Sequence, residues 1–434
     1  MQRRSFLKSV AAAPLLSVAA PAARAAANPK RRTFNAWIEE SRRAALDVLK
    51  PSQRDLEHGL ELHAQSLVFE SYGFSPSGAV DNDAFAKAIE GGASDQELND
   101  LREEMTMTRH VTNAGLQAEY KEAWEASGVT CIFQNAGEEN QAALRILRRL
   151  ARFTYVTDML RDFVAKAATP DDVVAAKRQG RHCLYFSANA VPLQEQWVNP
   201  QNELELIRVF FQLGIRMMHL TYNRRNMIGD GCAETSNAGL SDFGRMVVAE
   251  MNRVGLIVDV AHSGWQTGLD AAKCSTRPMV ASHTTCAGLH HHIRAKPDNL
   301  LKAIADTGGL VGICCIPSFV GGKGDLSAMI DQLAYAVKRI GADHVAIGTD
   351  VGYSCHNPPG EAKKMPKRGP SRPRWEYLWP NDAFKLKGNP QSMAWTNWPM
   401  FTVGMVQRGM RDEDIQKILG LNVLRVARAV LAKS

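Results

Sequence analysis

The chain has 434 residues, 45% hydrophobic and 22% charged. That is an ordinary globular composition, long enough for one large α/β domain or two smaller ones, and it excludes a disordered chain or a coiled coil. The formal charge of +7 does not indicate a nucleic-acid surface: Arg3, Arg4, Lys8 and Arg24 lie in a leader without acidic residues, and removing these four leaves only +3.

Residues 1–25 read as a targeting segment. Residues 2–8 are Q-R-R-S-F-L-K, a twin-arginine pair; residues 9–20 are a short Ala-rich apolar stretch; Ala23-Arg24-Ala25 is a small-x-small cleavage site. The stretch is too short for a membrane span. It predicts export in the folded state by the twin-arginine machinery, to the periplasm or beyond. Residues 26–55 read as an N-terminal arm leading into a helix, and 56–434 as one domain.

Taken in order, that domain begins with a strand at 66–71, which runs into Tyr72-Gly73-Phe74. A polar helical stretch, 81–127, leads to a strand at 129–133, then a helix over 141–167 and a strand at 183–187. A helix at 203–213, stopped by Gly214, precedes the strand 215–220, and a polar loop spans 222–240. Helix 241–253, strand 256–260, helix 265–274, strand 279–282, helix 298–306, strand 309–316, helix 326–340 and strand 345–349 follow. Short apolar runs bounded by Gly or Pro read as buried parallel strands. Eight of them alternating with helices, with no linker between, predict an α/β fold, a single (β/α)8 TIM barrel, rather than a doubly wound sheet.

The loop 352–395 holds Pro358, Pro359, Pro366, Pro370 and Pro373 and the basic residues Lys363, Lys364, Lys367, Arg368, Arg372 and Arg374. It is either a lid facing an anionic substrate or a solvated basic loop. An amphipathic helix closes the chain, with Asp412-Glu413-Asp414 where the helix dipole favours acids. Cys131, Cys183, Cys314 and Cys315 fall in or beside strands and read as buried thiols. No C-x-x-C pair indicates a zinc ribbon, and bridges among Cys232, Cys274, Cys286 and Cys355 stay open.

Three side chains stand where a parallel barrel keeps its chemistry, at the carboxyl ends of strands: His262 after 256–260, His283 after 279–282 and Asp350 after 345–349. Two neutral imidazoles and a carboxylate, with a position left for water, form an open catalytic zinc set. Taken singly, each has a structural reading as well. Of His290-His291-His292, only His292 is placed to reach the pocket; His219 reads as an in-strand residue near the barrel wall.

The surrounding pattern resembles a known family. Residues 216–223 (R-M-M-H-L-T-Y-N), 239–244 (G-L-S-D-F-G), 250–262 (E-M-N-R-V-G-L-I-V-D-V-A-H), 279–283 (M-V-A-S-H), 294–298 (R-A-K-P-D), Gly308-Gly309, 348–350 (G-T-D), 397–399 (N-W-P) and 417–420 (K-I-L-G) resemble the membrane (renal) dipeptidases, amidohydrolase-type barrels. The resemblance implies two zinc ions bridged by a glutamate, activating a hydroxide against the amide of a dipeptide, in a homodimer. It implies that His262 and His283 serve the second ion, that Arg294 binds the substrate carboxylate, and that Asp350 coordinates or shuttles a proton.

The chain departs from that pattern at the first ion. The family's His-x-Asp after the first strand is Tyr72-Gly73-Phe74 here, Ala188 or Asn189 stands where the bridging glutamate belongs, and Tyr222 replaces the histidine of L-T-H-N. The resemblance thus implies one zinc, held by His262, His283 and either Asp350 or Asn189. His63 precedes the first strand, at the wrong end to substitute. Three readings follow: an exported one-metal hydrolase of a dipeptide or amino-acid conjugate; a tailoring enzyme or lyase whose small-molecule pocket is lined by Tyr72, Asn189 and Tyr222; and a silent binding barrel. Arg294 has a structural alternative, pairing with Asp298.

Overall fold

Both faces of each strand are covered, by the barrel interior and by a helix outside, which is why the strands read as unbroken apolar runs. The structure, a computed structural model, describes residues 33–137, 142–357, 366 and 388–431. The twin-arginine leader and the six basic residues of the long loop lie outside those residues. From Asn35 onward the chain forms a single unit.

Nine parallel strands make one sheet: β1 (Phe69–Gly73), β2 (Cys131–Asn135), β3 (Val164–Lys166), β4 (His182–Ala188), β5 (Ile215–His219), β6 (Ile257–Asp259), β7 (Val280–Thr284), β8 (Leu310–Ile313) and β9 (Val345–Ile347). The order is β1-β2-β4-β5-β6-β7-β8-β9, with β3 pairing β4 off that path. Eight strands thus form a nearly closed barrel, the expected (β/α)8 architecture. β1 and β9 meet through Glu70, whose Oε1 accepts the Thr349 backbone N–H at 3.0 Å and lies in short contact with Thr349 Oγ1, while Oε2 accepts Trp395 Nε1–H at 2.8 Å.

Each of the eight expected strands coincides with a barrel strand, with shifts that have local causes. The first starts at Phe69 because Ser66 still closes the helix Gln53–Gln65, its hydroxyl donating to the Leu62 carbonyl at 2.6 Å. The helix expected over 141–167 stops at Met159, and the chain turns at Leu160 into β3. The polar stretch 81–127 is three helices, Asn82–Glu90, Asp95–Thr112 and Ala114–Ser127, each begun by a side-chain cap from Asp81, Ser94 or Asn113. The arm carries the helix Ala36–Leu49, capped by Asn35, with Ile38 and Ala45 fully buried.

The barrel floor is apolar, one side chain from each strand: Phe69, Cys131, Cys183, Met217, Ile257, Val280, Leu310 and Ala346. Val423, Leu424, Val426 and Val430 of the C-terminal helix Asn422–Val430 plug it from below. Higher up the interior narrows: Ser71 Oγ donates to the Ser282 carbonyl at 2.7 Å, and a Cβ on Gly312 or Gly348 would collide with that carbonyl. The chemistry is therefore confined to the opposite, carboxyl-terminal end. All eight cysteines are free thiols, and the four in or beside strands are buried. Among the described residues no helix is long and apolar enough to cross a membrane.

Candidate metal centre

Two bulges decide which side chains look into the mouth. Between Glu70 and Gly73, β1 advances three residues while β2 advances two; between Ala281 and Thr284, β7 does the same against β8. One extra residue reverses the in–out alternation. It brings Tyr72 inward although Phe69 and Ser71 already face the interior, and turns His283 in where alternation from Val280 would turn it out. The rings of Tyr72 and His283 consequently stack, centroids 3.9 Å apart and 20° from parallel.

His262 and His283 come together with Nε2 atoms 2.9 Å apart. His262 Nδ1 lies 2.8 Å from the acceptor Asn223 Oδ1, so Nδ1 holds the proton and Nε2 is bare. His283 Nδ1 has Ser282 Oγ at 2.9 Å. Burial, followed by the positive charge of Arg294, holds both imidazoles well below the ordinary histidine range, so they are neutral at physiological pH.

A second pair joins them. In the parallel register His219 at the end of β5 lies beside Asp259 at the end of β6, and His219 Nε2 is 2.7 Å from Asp259 Oδ2, both side chains fully buried. The potential ligand atoms of His219, Asp259 and His283 all fall within 4.8 Å of one another, and Asp350 is not in this group. Burial alone would raise the Asp259 carboxyl; His219 and the hydrogen bonds from Ser282 bring it below its ordinary value, so a carboxylate sits beneath the imidazoles.

The other expected residues surround this cluster. Asp350 is half-buried, in the left-handed region at φ 59°, and burial raises its carboxyl to about 6 against the pull of Arg294 and His219. Arg294 is 3% exposed, with its guanidinium 5.2 Å above the Phe319 ring; among the described residues its Nε and Nη2 have no hydrogen-bond partner. Its suggested partner Asp298 is engaged instead by Tyr335 and Arg339, which corrects the structural alternative. The Tyr72 hydroxyl donates to Asn189 Oδ1 at 2.7 Å, and Tyr222 stacks on His262 at 4.1 Å. Of the three consecutive histidines only His292 is buried, and its Nδ1 accepts the Arg294 backbone N–H. His63 is held within the fold by Thr402 and the Ser127 carbonyl.

Beyond Tyr72 lies open space. Phe74, edge-on to Tyr72, forms one wall of a cavity of about 290 Å³ shared with Met107, His110, Gln134, Phe153 and Tyr353.

A model of the membrane dipeptidases, peptidase family M19, matches residues 91–366, well over half of the sequence. The chain belongs to that family. Dipeptidase tcpJ of Claviceps purpurea is 27% identical over 281 residues, 63% of this chain and 57% of its own length, so the chain spans little more than half of that relative. Two solved structures share the barrel: an amidohydrolase from Pseudomonas aeruginosa (TM-score 0.63, 24% identity, 86% of this chain and 99% of that one) and dipeptidase AC, an M19 metallopeptidase (0.61, 16%, 84% and 99%).

The residues of this M19 chain fit one metal ion. Neutral imidazoles, one of them with a bare Nε2, and a buried carboxylate with an unpartnered oxygen are a suitable donor set. They do not fit a second ion on the β1 side. Tyr72 and Phe74 offer no ligand of the required kind, and Asn189 Oδ1 already accepts the Tyr72 hydroxyl.

Sequence reasoning takes His219 as a residue of the barrel wall and does not single out Asp259, yet the structure brings both into the cluster with His283. A signal for them exists in the strand period: Met217 and Ile257 face the interior, so His219 and Asp259, two residues on, face it as well.

Proposed function

We propose that this protein is an exported, dipeptidase-like metallohydrolase that uses one divalent ion, zinc by the composition of its ligands, to cleave the amide bond of a dipeptide or amino-acid conjugate. The observation that carries the reading is the buried Arg294 guanidinium, with two nitrogens left for an anion, beside the neutral His262–His283 pair and the raised carboxyl of Asp350. Membership of family M19 supports it, as does the twin-arginine leader for export.

His262 and His283 hold the ion in this reading. When bound, it supplies Lewis-acid polarisation of the amide carbonyl and a water acidic enough to attack near neutral pH. Arg294 receives the substrate carboxylate through its unpartnered N–H groups, which fixes the scissile amide over the imidazoles. Asp350 accepts the proton of the attacking water as the carbon–oxygen bond forms, and returns it to the nitrogen as the carbon–nitrogen bond breaks, releasing an amine and a carboxylate. Tyr222 and Tyr72 flank the imidazoles as uncharged walls, and the 290 Å³ cavity behind Phe74 accommodates an apolar side chain.

One observation favours a second reading, a tailoring enzyme or lyase acting on a small peptide-derived molecule: the Tyr72–Asn189 hydrogen bond makes that side of the mouth neutral and self-contained. A single experiment separates the two. The mature protein, freed of metal and reloaded with zinc, is offered a panel of dipeptides and N-acyl amino acids. Release of free amine that depends on zinc and disappears in His262→Ala/His283→Ala supports hydrolysis. Binding of those compounds without release of amine would sink the hydrolase in favour of the tailoring enzyme.

A further inference from the structure

We infer that the chain has rebuilt its metal centre, with the ion held by His219, Asp259 and His283, and that the His219–Asp259 pair takes over from ligands missing on the β1–β4 side. The inference rests on the metallohydrolase reading and revises its donor set, keeping His283 and putting the His219–Asp259 pair in the place of His262.

The argument starts with an unfinished hydrogen-bond count. Asp259 Oδ1 is fully engaged, accepting the backbone N–H groups of Ala261 at 2.9 Å and Ser282 at 3.1 Å. Its other oxygen, Oδ2, has His219 Nε2 at 2.7 Å. Neither nitrogen of His219 nor Asp259 Oδ2 has a hydrogen-bond partner among the described residues, although all are fully buried. Buried polar atoms are seldom left so, and a buried carboxylate demands a counter-charge. An imidazole nitrogen and a carboxylate oxygen this close, in a group whose donors gather within 4.8 Å, are placed as two donors converging on one cation.

His283 completes the group. Its ligand atom lies with theirs inside 4.8 Å, and side-chain movements of up to about an ångström bring donors so placed to zinc bonds of about 2 Å. Its Nε2 faces the bare Nε2 of His262, so a proton or a cation must lie near the pair. The three rings of His219, His262 and His283 have centroids 4.9–5.3 Å apart, which leaves His262 beside the ion and Asp350 outside the donor group. Two imidazoles and one carboxylate, with a position open to water, is the composition of hydrolytic zinc sites.

The test is metal binding, read without reference to activity. Full-length mature protein is titrated with zinc against a chelating indicator, beside His219→Gln, Asp259→Asn and Asp350→Asn. The expected result is about one ion per chain in the wild type, an affinity at least 100-fold lower in His219→Gln and in Asp259→Asn, and little change in Asp350→Asn. A crystal of the zinc-loaded wild type, measured at the zinc absorption edge, needs no substitution and so is immune to misfolded variants; its anomalous peak is expected in bonding contact with His219, Asp259 and His283. Wild-type affinity in His219→Gln, or a peak bonded to Asp350 and away from His219, would overturn the assignment while leaving the metallohydrolase intact. No zinc in the wild type would overturn both, and would make His219 and Asp259 a structural histidine–aspartate pair.

Discussion

The mouth of this barrel has two arcs of opposite chemistry. Strands β5 to β7 deliver His219, Asp259, His262 and His283, and among the described residues the nitrogens of His219 and Oδ2 of Asp259 have no hydrogen-bond partner. Strands β1, β2 and β4 deliver Tyr72, Gln134, Asn135 and Asn189, whose polar atoms are engaged by one another or by nearby backbone: Tyr72 on Asn189, the Ser75 N–H on Gln134, the Gly137 N–H on Asn135. The first arc keeps polar atoms without partners, and the proposed ion would complete it, whereas the second satisfies its own. The β1–β4 side of the mouth is thus closed by neutral, mutually bonded groups.

If the division is sound, substitutions near the first arc cost chemistry. The largest effect is expected at Asp350. With its carboxyl raised to about 6 by burial, the base form appears as pH rises through that value, so wild-type kcat/KM should climb across pH 5–7 and level off above. Asp350→Asn removes the base and should lower kcat by about 10²- to 10⁴-fold, leaving a residue of activity without that acid limb. A pH profile from 4.5 to 8.5 checks it, and an unchanged acid limb in the variant would assign the proton transfer to another group.

Arg294 should come next. Its unpartnered guanidinium nitrogens offer a charge-assisted contact worth roughly 1.5–3 kcal/mol, so Arg294→Met should lower kcat/KM about 10- to 100-fold for a dipeptide with a free carboxylate. The same dipeptide as its C-terminal amide should lose far less. The measurement is that ratio of substrates. If the two fall equally, Arg294 supports the fold and does not grip the substrate.

How much of this was legible in the sequence follows the same division. The eight strands were visible because each is a short apolar run between breakers, and His262, His283 and Asp350 because each ends such a run. The fact that His262 and His283 meet at 2.9 Å, however, depends on a bulge in β7 that no local pattern announces, and the inward turn of Tyr72 depends on another in β1. His219 and Asp259 were hidden differently: each sits within its strand, and only their register across two strands makes them neighbours. Arg294 and Asp298 are close in sequence, yet Asp298 is drawn off by Tyr335 and Arg339 on a helix distant in the chain.

Glu70 tests the far side of the comparison, where the neutral arc meets β9 and a substitution should cost stability rather than chemistry. Burial raises its carboxyl to about 8 despite Thr349 and Trp395, so the folded protein keeps the proton that the unfolded chain releases above its ordinary value of 4.5. The surroundings tolerate a protonated group, because the Thr349 hydroxyl, which donates to Glu70 Oε1, has the Val351 carbonyl as an alternative acceptor at 3.2 Å. A carboxyl with a raised folded-state pKa contributes its full stability below about 4.5 and loses it as pH rises towards 8. Glu70→Gln cannot ionise, and its amide can accept Trp395 but not the Thr349 N–H as well. At pH 5 the variant should therefore be less stable by about 1–2 kcal/mol, the cost of one buried hydrogen bond. Across pH 5–8 the wild type should lose about 1.4 kcal/mol per pH unit while the variant stays level, so the wild type gives up more than its advantage and the two unfolding curves cross. Denaturant titrations at four pH values show whether they do. Parallel curves would mean that Glu70 is ionised in the folded barrel and joins β1 to β9 as a carboxylate.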